Sequence, residues 1–458
     1  MREMVMKTLA TDTLPRTIWP SAGTPLKVPS LVHALRHGAS FPGLEFVLGY
    51  NAQAMEKTQE ILETIRKDTG GLRPHYERYS LLAVADTILD IFDVPQGGRS
   101  LREELGIARA EKAVSFIVDG LGYLKLEDLV EKGLVDLSLF DVYIPLTSVF
   151  PPTTTTALTS LSTGVSPVVH GILGYKLFLR EVGAVVNMIK LSTPGAPSDS
   201  IKNVGVELEK FVAVPTIYER LKERGVKSYL FLPKYIVNSG LSGILYRGVE
   251  EIVPFISLSD LFVLLKEALQ RPERALLGVY WPVTDTLGHL YGPESEPFSR
   301  EVSLFFRTMA EAFLGRGTGV PVLVTADHGF VGIDPEADLI DVKASPELMS
   351  SIIFQPVGDL RAGYFFVREG KKEVVREYLE RKYPGEFLVM DTEEALEGKL
   401  WGLEEPDEGV RARLGNIVAL ARGRKLFFWP EGEEFVLRGM HGGLTDRELL
   451  VPFLISHA

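Results

Sequence analysis

Three short apolar runs in this chain end on bare carboxylates or imidazoles, and that pattern leaves few folds open. Phe116-Ile-Val-Asp119-Gly120 stops on an aspartate and a glycine. Val322-Leu-Val-Thr-Ala-Asp327-His328-Gly329 has the same form with a histidine added. Leu276-Leu-Gly-Val-Tyr-Trp281 is followed closely by Asp285. Short apolar runs bounded by turn signals suit the buried strands of a parallel sheet. In open α/β sheets, ligands bind outside the carboxyl ends of the strands. Three strands are therefore expected to carry Asp and His to one edge of one sheet. A purely structural role gives no reason to gather bare carboxylates there, because burying an unpaired charge is costly.

The spacing within the motifs adds chemistry. In Asp285-Thr-Leu-Gly-His289 the carboxylate and the imidazole are four residues apart and share one face of a helical turn. Asp327-His328 offers a second such pair, and His441 lies in the glycine-rich stretch Gly439-Met-His441-Gly-Gly-Leu-Thr445. Taken singly, a histidine is usually a satisfied core or surface residue and an Asp-Gly pair is usually a turn. The joint pattern is more specific, because three of the chain's eight histidines fall in these motifs. Mixed Asp/His ligation suits zinc, with manganese or iron as substitutes.

A hydroxyl-rich segment supplies a nucleophile. Ser148-Val-Phe-Pro-Pro precedes Thr153, Thr154, Thr155 and Thr156, and Thr163-Gly164 follows. The prolines stop one element and can precede a helix. Leu158 and Leu161 recur at helical spacing, and Gly164 can close the helix. One threonine of the run should stand at the helix N-terminus, where free N–H groups and the helix dipole favour a phosphate. Beside a metal, such a hydroxyl can attack phosphorus. Without the metal motifs, the same run would read as a helix cap.

With these motifs in order, the chain resembles the alkaline phosphatase superfamily, and within it the type I phosphodiesterase/nucleotide pyrophosphatase family. That family runs through a strand ending in Asp-Gly, a Pro-Thr-rich nucleophile segment ending in Thr-Gly, and a His-Gly-Ile element. Asp-x-x-Gly-His, Ala-Asp-His-Gly and a late His-Gly follow. Here the counterparts are Asp119-Gly120, Thr154 to Thr163-Gly164, His170-Gly171-Ile172, Asp285 to His289, Ala326 to Gly329, and His441-Gly442. The family spacing places the nucleophile nine residues before the threonine of Thr-Gly, which selects Thr154 (163 − 9 = 154). The resemblance implies two divalent metal ions. Asp285, His289 and His441 would hold one; Asp119, Asp327, His328 and the Thr154 oxygen would hold the other. It also implies two in-line displacements through a phosphothreonine on Thr154. His170 is expected to anchor a loop or support the site from behind.

The chain departs from its relatives where they recognise substrate. An asparagine expected three residues after His-Gly-Ile is Tyr175 here. Asn187, farther along, is a possible substitute, with Lys176 and Arg180 nearby. A proline common two residues after the nucleophile is replaced by Thr156. Tyr235, Tyr246, Phe330 and Trp281 either stack on a substrate or fill the core. Core packing is the expectation for Trp281, and Phe330, directly after the metal pair, is the candidate site-lining aromatic.

The expected fold class is α/β: a doubly wound, mostly parallel sheet flanked by helices, alkaline phosphatase-like, with an inserted smaller α/β lobe. Residues 1–110 form a partly helical N-terminal region, 111–340 the catalytic core, 341–435 the inserted lobe, and 436–458 the return to the core. Helices are expected over about 51–67, 78–92 and from Ser299 to Leu314, and a capping box at Ser257 and Asp260 opens another.

Composition agrees and excludes some classes. With 49 basic and 61 acidic residues, the net charge of −12 argues against extended nucleic-acid or anionic-membrane binding. It permits a small phosphate-ester substrate, including a nucleotide, because two dications would dominate the local field. No cysteine is present, so there is no disulfide framework and no thiolate ligand or nucleophile. Neither a secretory signal nor a transmembrane span is read, and the default setting is cytoplasmic. Alternatives within the superfamily are a phosphomonoesterase and a phosphate-ester mutase. A sulfatase is discounted for want of its Cys/Ser motif. Outside enzymes, the alternative is a degenerate binding protein, against which the intact set of seven ligand positions argues.

Overall fold

The computed structural model describes residues 44–71, 73–204, 211–237, 240–314, 319–432 and 434–457. Residues 1–43 of the expected N-terminal region lie outside the described residues.

The chain first lays down β1 (Lys112–Val118) and β2 (Val142–Thr147), then the hairpin β3 (Lys176–Leu179) and β4 (Ala184–Asn187). There follow β5 (Lys227–Pro233), β6 (Glu251–Phe255), β7 (Ala275–Trp281) and β8 (Val322–Thr325). After the short β9 (Val331–Gly332) and β10 (Leu339–Asp341) come β11 (Val357–Asp359), β12 (Ala362–Phe365), β13 (Phe387–Asp391) and β14 (Ile417–Ala421). The short β15 (Leu426–Phe428) and β16 (Gly439–Met440) lead to β17 (Leu450–Ser456).

Seven of these strands form the main sheet in the order β2-β17-β8-β1-β7-β5-β6. It is parallel except for β17, which runs antiparallel to both β2 and β8. The central strand β1 is covered on both faces, which is why it reads as a continuous apolar run rather than an alternating one. Phe116 is fully buried against Phe262, Phe305 and Phe313, from the helices Leu258–Leu269 and Glu296–Ala312 and the residue just beyond the latter. Ile117 points the other way, toward Val84, Leu158 and Ile217 of the helices Leu81–Ile91, Thr154–Thr163 and Ile217–Glu223. Burying one such large apolar side chain contributes roughly 1.5–3 kcal/mol. Trp281 takes the core position expected of it, stacked on Phe255 with ring centroids 5.8 Å apart.

The single antiparallel strand has a functional consequence. Because β17 is reversed, its start at Leu450 pairs with Thr147 at the end of β2, and Phe453 pairs with Thr325 at the end of β8. The loop before β17, which carries His441, therefore opens at the same edge as the carboxyl ends of β1, β7 and β8.

A second sheet is antiparallel, in the order β13-β14-β12-β11-β3-β4. It has its own core, including Ile340, Leu348, Phe365, Tyr378, Ile417 and Phe427. The sequence boundaries 341–435 capture only part of it, because β3 and β4 join from residues 176–187, with Gly358 paired to Lys176. Four-residue strands carry too little periodicity to announce that partnership.

Helix boundaries differ from expectation in understandable ways. The first described helix runs Leu44–Thr69, longer than 51–67 at both ends, and the next is Leu81–Ile91. The helix expected from Ser299 starts at Glu296, because Ser295 caps it and Pro297 suits its first turn. Asp285 and His289 lie in the helix Val283–Tyr291 that follows β7, rather than in an open loop. Among the described residues, no helix is long and apolar enough to cross a membrane.

Candidate active site

Topology does most of the assembly. Asp119 follows β1, Asp285 follows β7 and Asp327 follows β8, and these three strands are neighbours. Two clusters result, in each of which the ligand atoms lie within 4.8 Å of one another. One is Asp119, Asp327 and His328; the other is Asp285, His328 and His441. His289 joins through Asp285, its Nε2 lying 3.3 Å from Oδ1 of that carboxylate. Thr154 Oγ1 lies 3.2 Å from His328 Nε2. The structure thus brings all seven sequence candidates to one edge.

The three imidazoles are turned alike. Nδ1 of His289 donates to the Gly439 carbonyl at 2.8 Å, that of His328 to Gly329 at 3.1 Å, and that of His441 to Pro152 at 3.0 Å. A carbonyl only accepts, so Nδ1 carries the hydrogen in each ring. Every Nε2 is then an acceptor lone pair, the arrangement that suits a metal ligand. The His328 and His441 rings stack with centroids 3.6 Å apart.

The carboxylates complete the pattern. Asp119 Oδ1, Asp285 Oδ1 and Asp327 Oδ2 are buried without a hydrogen-bond partner. Buried polar atoms are normally satisfied, and the three orphan oxygens stand beside the imidazole Nε2 atoms as a set that could hold a cation. The other Asp327 oxygen accepts from the Gly120 and His328 N–H groups, both at 3.0 Å. Tyr280 donates its hydroxyl to Asp119 Oδ2. Burial, then the Asp327 and Asp285 charges, push the Asp119 carboxyl well above its usual range. Burial, then His328 and His289, push His441 well below its own. Burial opposes the charge on His289, but Asp285 outweighs it and raises that imidazole.

Among the four threonines, Thr153, Thr155 and Thr156 are buried at 2 % exposure or less, and only Thr154 is more open. Thr154 is the first residue of the helix Thr154–Thr163, which Gly164 closes with φ +73°. Thr155 donates to the Gly174 carbonyl at 3.0 Å. His170 is an anchor: its Nδ1 accepts from the Ile172 N–H at 3.1 Å, so its Nε2–H donates to Ser160 Oγ of the Thr154 helix at 2.9 Å. The N-terminal region supports that helix from behind. Leu81–Ile91 packs on it, and Arg99 donates to the Gly164 carbonyl at 2.9 Å.

The substrate-side candidates fare differently. Phe330 is 4 % exposed and wedges its ring against His289, His328 and His441, at centroid distances of 4.9, 5.6 and 5.4 Å. It buttresses the ligands rather than lining an open surface, which corrects the sequence expectation. Asn187 accepts from the Ile189 and Lys190 N–H groups, each at 3.0 Å, and bonds to the Tyr175 hydroxyl, so its interactions go to its own turn and to Tyr175. Lys176 and Arg180 pair with Glu431 and Glu408, each at 3.1 Å. Tyr235, just past the end of β5, is 72 % exposed and close enough to Asp119 to feel its charge.

Sequence reasoning missed Tyr280, Asp359, Arg361 and Glu448. Tyr280 sits in an apolar strand and Asp359 in a two-strand turn, with no motif around either. Arg361 and Glu448 carry no local signal of the burial that pairs them.

A family model described as type I phosphodiesterase / nucleotide pyrophosphatase matches residues 113–444. Murine ectonucleotide pyrophosphatase/phosphodiesterase 5 is similar in structure, with TM-score 0.55 and 18 % identity, over 75 % of this chain and 88 % of that one. The same murine protein has also been solved as an inactive form in complex with AMP. Phosphonoacetate hydrolase from Sinorhizobium meliloti 1021, in complex with phosphonoformate, has TM-score 0.55 and 20 % identity, over 75 % of this chain and 89 % of that one. No curated protein matches the sequence.

Proposed function

Because the chain belongs to the type I phosphodiesterase/nucleotide pyrophosphatase family, within the alkaline phosphatase superfamily, we propose that it hydrolyses phosphodiester or nucleotide pyrophosphate bonds through Thr154. The supporting observation is the set of inward-facing Nε2 lone pairs and orphan carboxylate oxygens gathered around the Thr154 hydroxyl. The proposed ligands are Asp285, His289 and His441 on one side and Asp119, Asp327, His328 and Thr154 on the other. His328 lies within ligand distance of both clusters. Two divalent cations bound there, zinc with manganese or iron as substitutes, would neutralise the phosphate oxygens and lower the pKa of the Thr154 hydroxyl.

The chain's own groups supply the rest. N–H groups at the start of the helix Thr154–Thr163 face the non-bridging oxygens of a bound phosphate. Thr154 Oγ1 forms a bond to phosphorus while the bond to the leaving oxygen breaks, the hydroxyl proton passing by way of water to that oxygen. Water then attacks the phosphothreonine, releasing a phosphate monoester and restoring the hydroxyl. Phe330 and the Nδ1 hydrogen bonds hold the imidazoles in place through both steps. Tyr235 is the exposed aromatic best placed to stack on a base or aryl group. AMP in the murine relative and phosphonates in the bacterial one support a small phosphorus-bearing substrate.

The test is turnover of bis-p-nitrophenyl phosphate against p-nitrophenyl phosphate, with zinc and manganese titrated. Thr154→Ala should keep bound metal and lose at least about a thousandfold in rate. Near-normal turnover in that variant would remove Thr154 as nucleophile.

A further inference from the structure

The turn between β11 and β12 brings a fourth carboxylate to the site from the second sheet. Asp359 Oδ1 is buried with no hydrogen-bond partner, like one oxygen of each proposed carboxylate ligand. Burial pushes the Asp359 carboxyl up to about 6, still below neutral pH, and the Thr153 hydroxyl and the N–H groups of Arg361 and Leu360 favour its charged form. Oδ1 lies against Gly442, so closely that any Cβ there would collide with it. Gly442 follows the proposed ligand His441, and Thr153 precedes the proposed nucleophile. The Asp359 charge is felt by His289, and His328 in turn acts on Asp359. It is also felt by the Tyr175 hydroxyl, which stands where relatives are expected to carry a phosphate-binding amide. Yet Asp359 belongs to neither cluster of metal-spaced groups among the described residues. Among the described residues, no Lys or Arg pairs with its carboxylate; Lys176 and Arg361 are bound to Glu431 and Glu448.

An unpaired carboxylate beside a phosphate site acts on substrate charge. A phosphodiester carries one negative charge, whereas a terminal phosphate carries nearly two at neutral pH, its second pKa being about 6. With cations bound at the site, one added like charge on the protein does not prevent phosphate binding, but it penalises a dianionic phosphate more than a monoanionic diester. We propose that Asp359 is a specificity-determining residue that selects phosphodiesters over phosphomonoesters by repelling the second charge of a terminal phosphate. The same repulsion favours departure of the phosphate monoester product. This inference rests on the reading of Thr154 as the reacting centre, and it narrows the substrate class of that site.

Asp359→Asn keeps the side chain's size and an acceptor for Thr153 while removing the charge. Two measurements on the full-length, zinc-loaded protein test it. The first is the ratio of kcat/KM for bis-p-nitrophenyl phosphate to that for p-nitrophenyl phosphate. The second is the Kd of inorganic phosphate by calorimetry in a Thr154→Ala background. The expected result is a fall of about tenfold or more in the ratio and a tightening of about tenfold in phosphate Kd, each equivalent to about 1.4 kcal/mol, with bound zinc unchanged. A ratio and a Kd both within about twofold of the parent would overturn the assignment. Loss of zinc would overturn it too, by making Asp359 a ligand. If the parent protein cleaves neither ester, the phosphodiesterase reading fails on its own, and the phosphate titration still decides the role of Asp359. Asp359→Ser gives the same phosphate readout if the amide disturbs the turn.

Discussion

Arg361 and Glu448 form a fully buried ion pair, with Nε to Oε1 at 2.6 Å and Nη2 to Oε2 at 2.9 Å. The pair joins the second sheet to the loop that carries His441. Glu448 also accepts from the Gly443 N–H at 2.7 Å and the Thr445 hydroxyl at 2.6 Å, and its carbonyl accepts from the Gly329 N–H at 2.8 Å. One residue therefore ties together the loops bearing His441 and His328. Arg361 is satisfied as fully, donating to the Gly423 and Lys425 carbonyls at 2.7 and 3.0 Å.

Removing one partner of such a pair strands a buried charge. Arg361→Met is expected to cost about 3–5 kcal/mol in urea unfolding. It should also weaken zinc retention, because Glu448 would no longer hold the Gly443 turn. A cost under about 1 kcal/mol, in the range of an exposed pair, would show that the pair does not fasten the loop.

Gly288→Ala should act against the usual helix rule. Within an ordinary helix this change stabilises by up to about 1 kcal/mol. Here the new Cβ would lie 2.7 Å from Phe330 Cε2. The Phe330 ring must shift, and with it the rings of His289 and His441. We expect a lower melting temperature and slower turnover, both partly recovered in Gly288→Ala/Phe330→Leu. A single variant as stable as the parent would mean that Phe330 is not tightly wedged.

His170 should make stability depend on pH. Burial first, then Arg413, depress its pKa from 6.5 to about 3 in the folded state. The unfolded chain then binds a proton below pH ~6.5 that the folded chain refuses. Stability from this group is present above about 6.5 and is lost as pH falls toward 3, at about 1.4 kcal/mol per unit. His170→Gln should remove about one proton from the slope of unfolding free energy between pH 6 and 4. An unchanged slope would contradict the buried, neutral assignment.

Metal should stabilise the fold, since the orphan oxygens of Asp119, Asp285 and Asp327 repel one another without it. At a hundred times Kd, zinc should add about 2.7 kcal/mol, read as a raised melting temperature that a chelator reverses. Asp327→Asn and His441→Ala should each shrink that rise. An equal rise in both variants would show that zinc binds elsewhere.

Some of this was readable before any fold was known. Asp119, Asp327 and Asp285 each closed or closely followed an apolar run, and parallel strands bury such runs and expose their ends at one edge. The identity of a ligand is local chemistry, so a strand followed by Asp-His announces itself. The helix start at Thr154 was local in the same way, because proline, threonine and glycine act on their own backbone. The substrate side was not readable, because it depends on contacts between segments far apart in the chain. Phe330 read as a site-lining aromatic, whereas the fold packs it against three imidazoles, and β3 and β4 gave no sign of pairing with β11.

Residue types and local spacing were enough to nominate the Asp and His candidates and to put one threonine of the run at a helix start, since both follow from periodicity and backbone propensity within a few positions; the choice of Thr154 among the four came from the family resemblance. Tertiary packing alone decided that Asp359 would face the site unpaired and that Arg361 would meet Glu448. Those outcomes rest on how two sheets dock, and the burial that gives each charge its meaning exists only once they have.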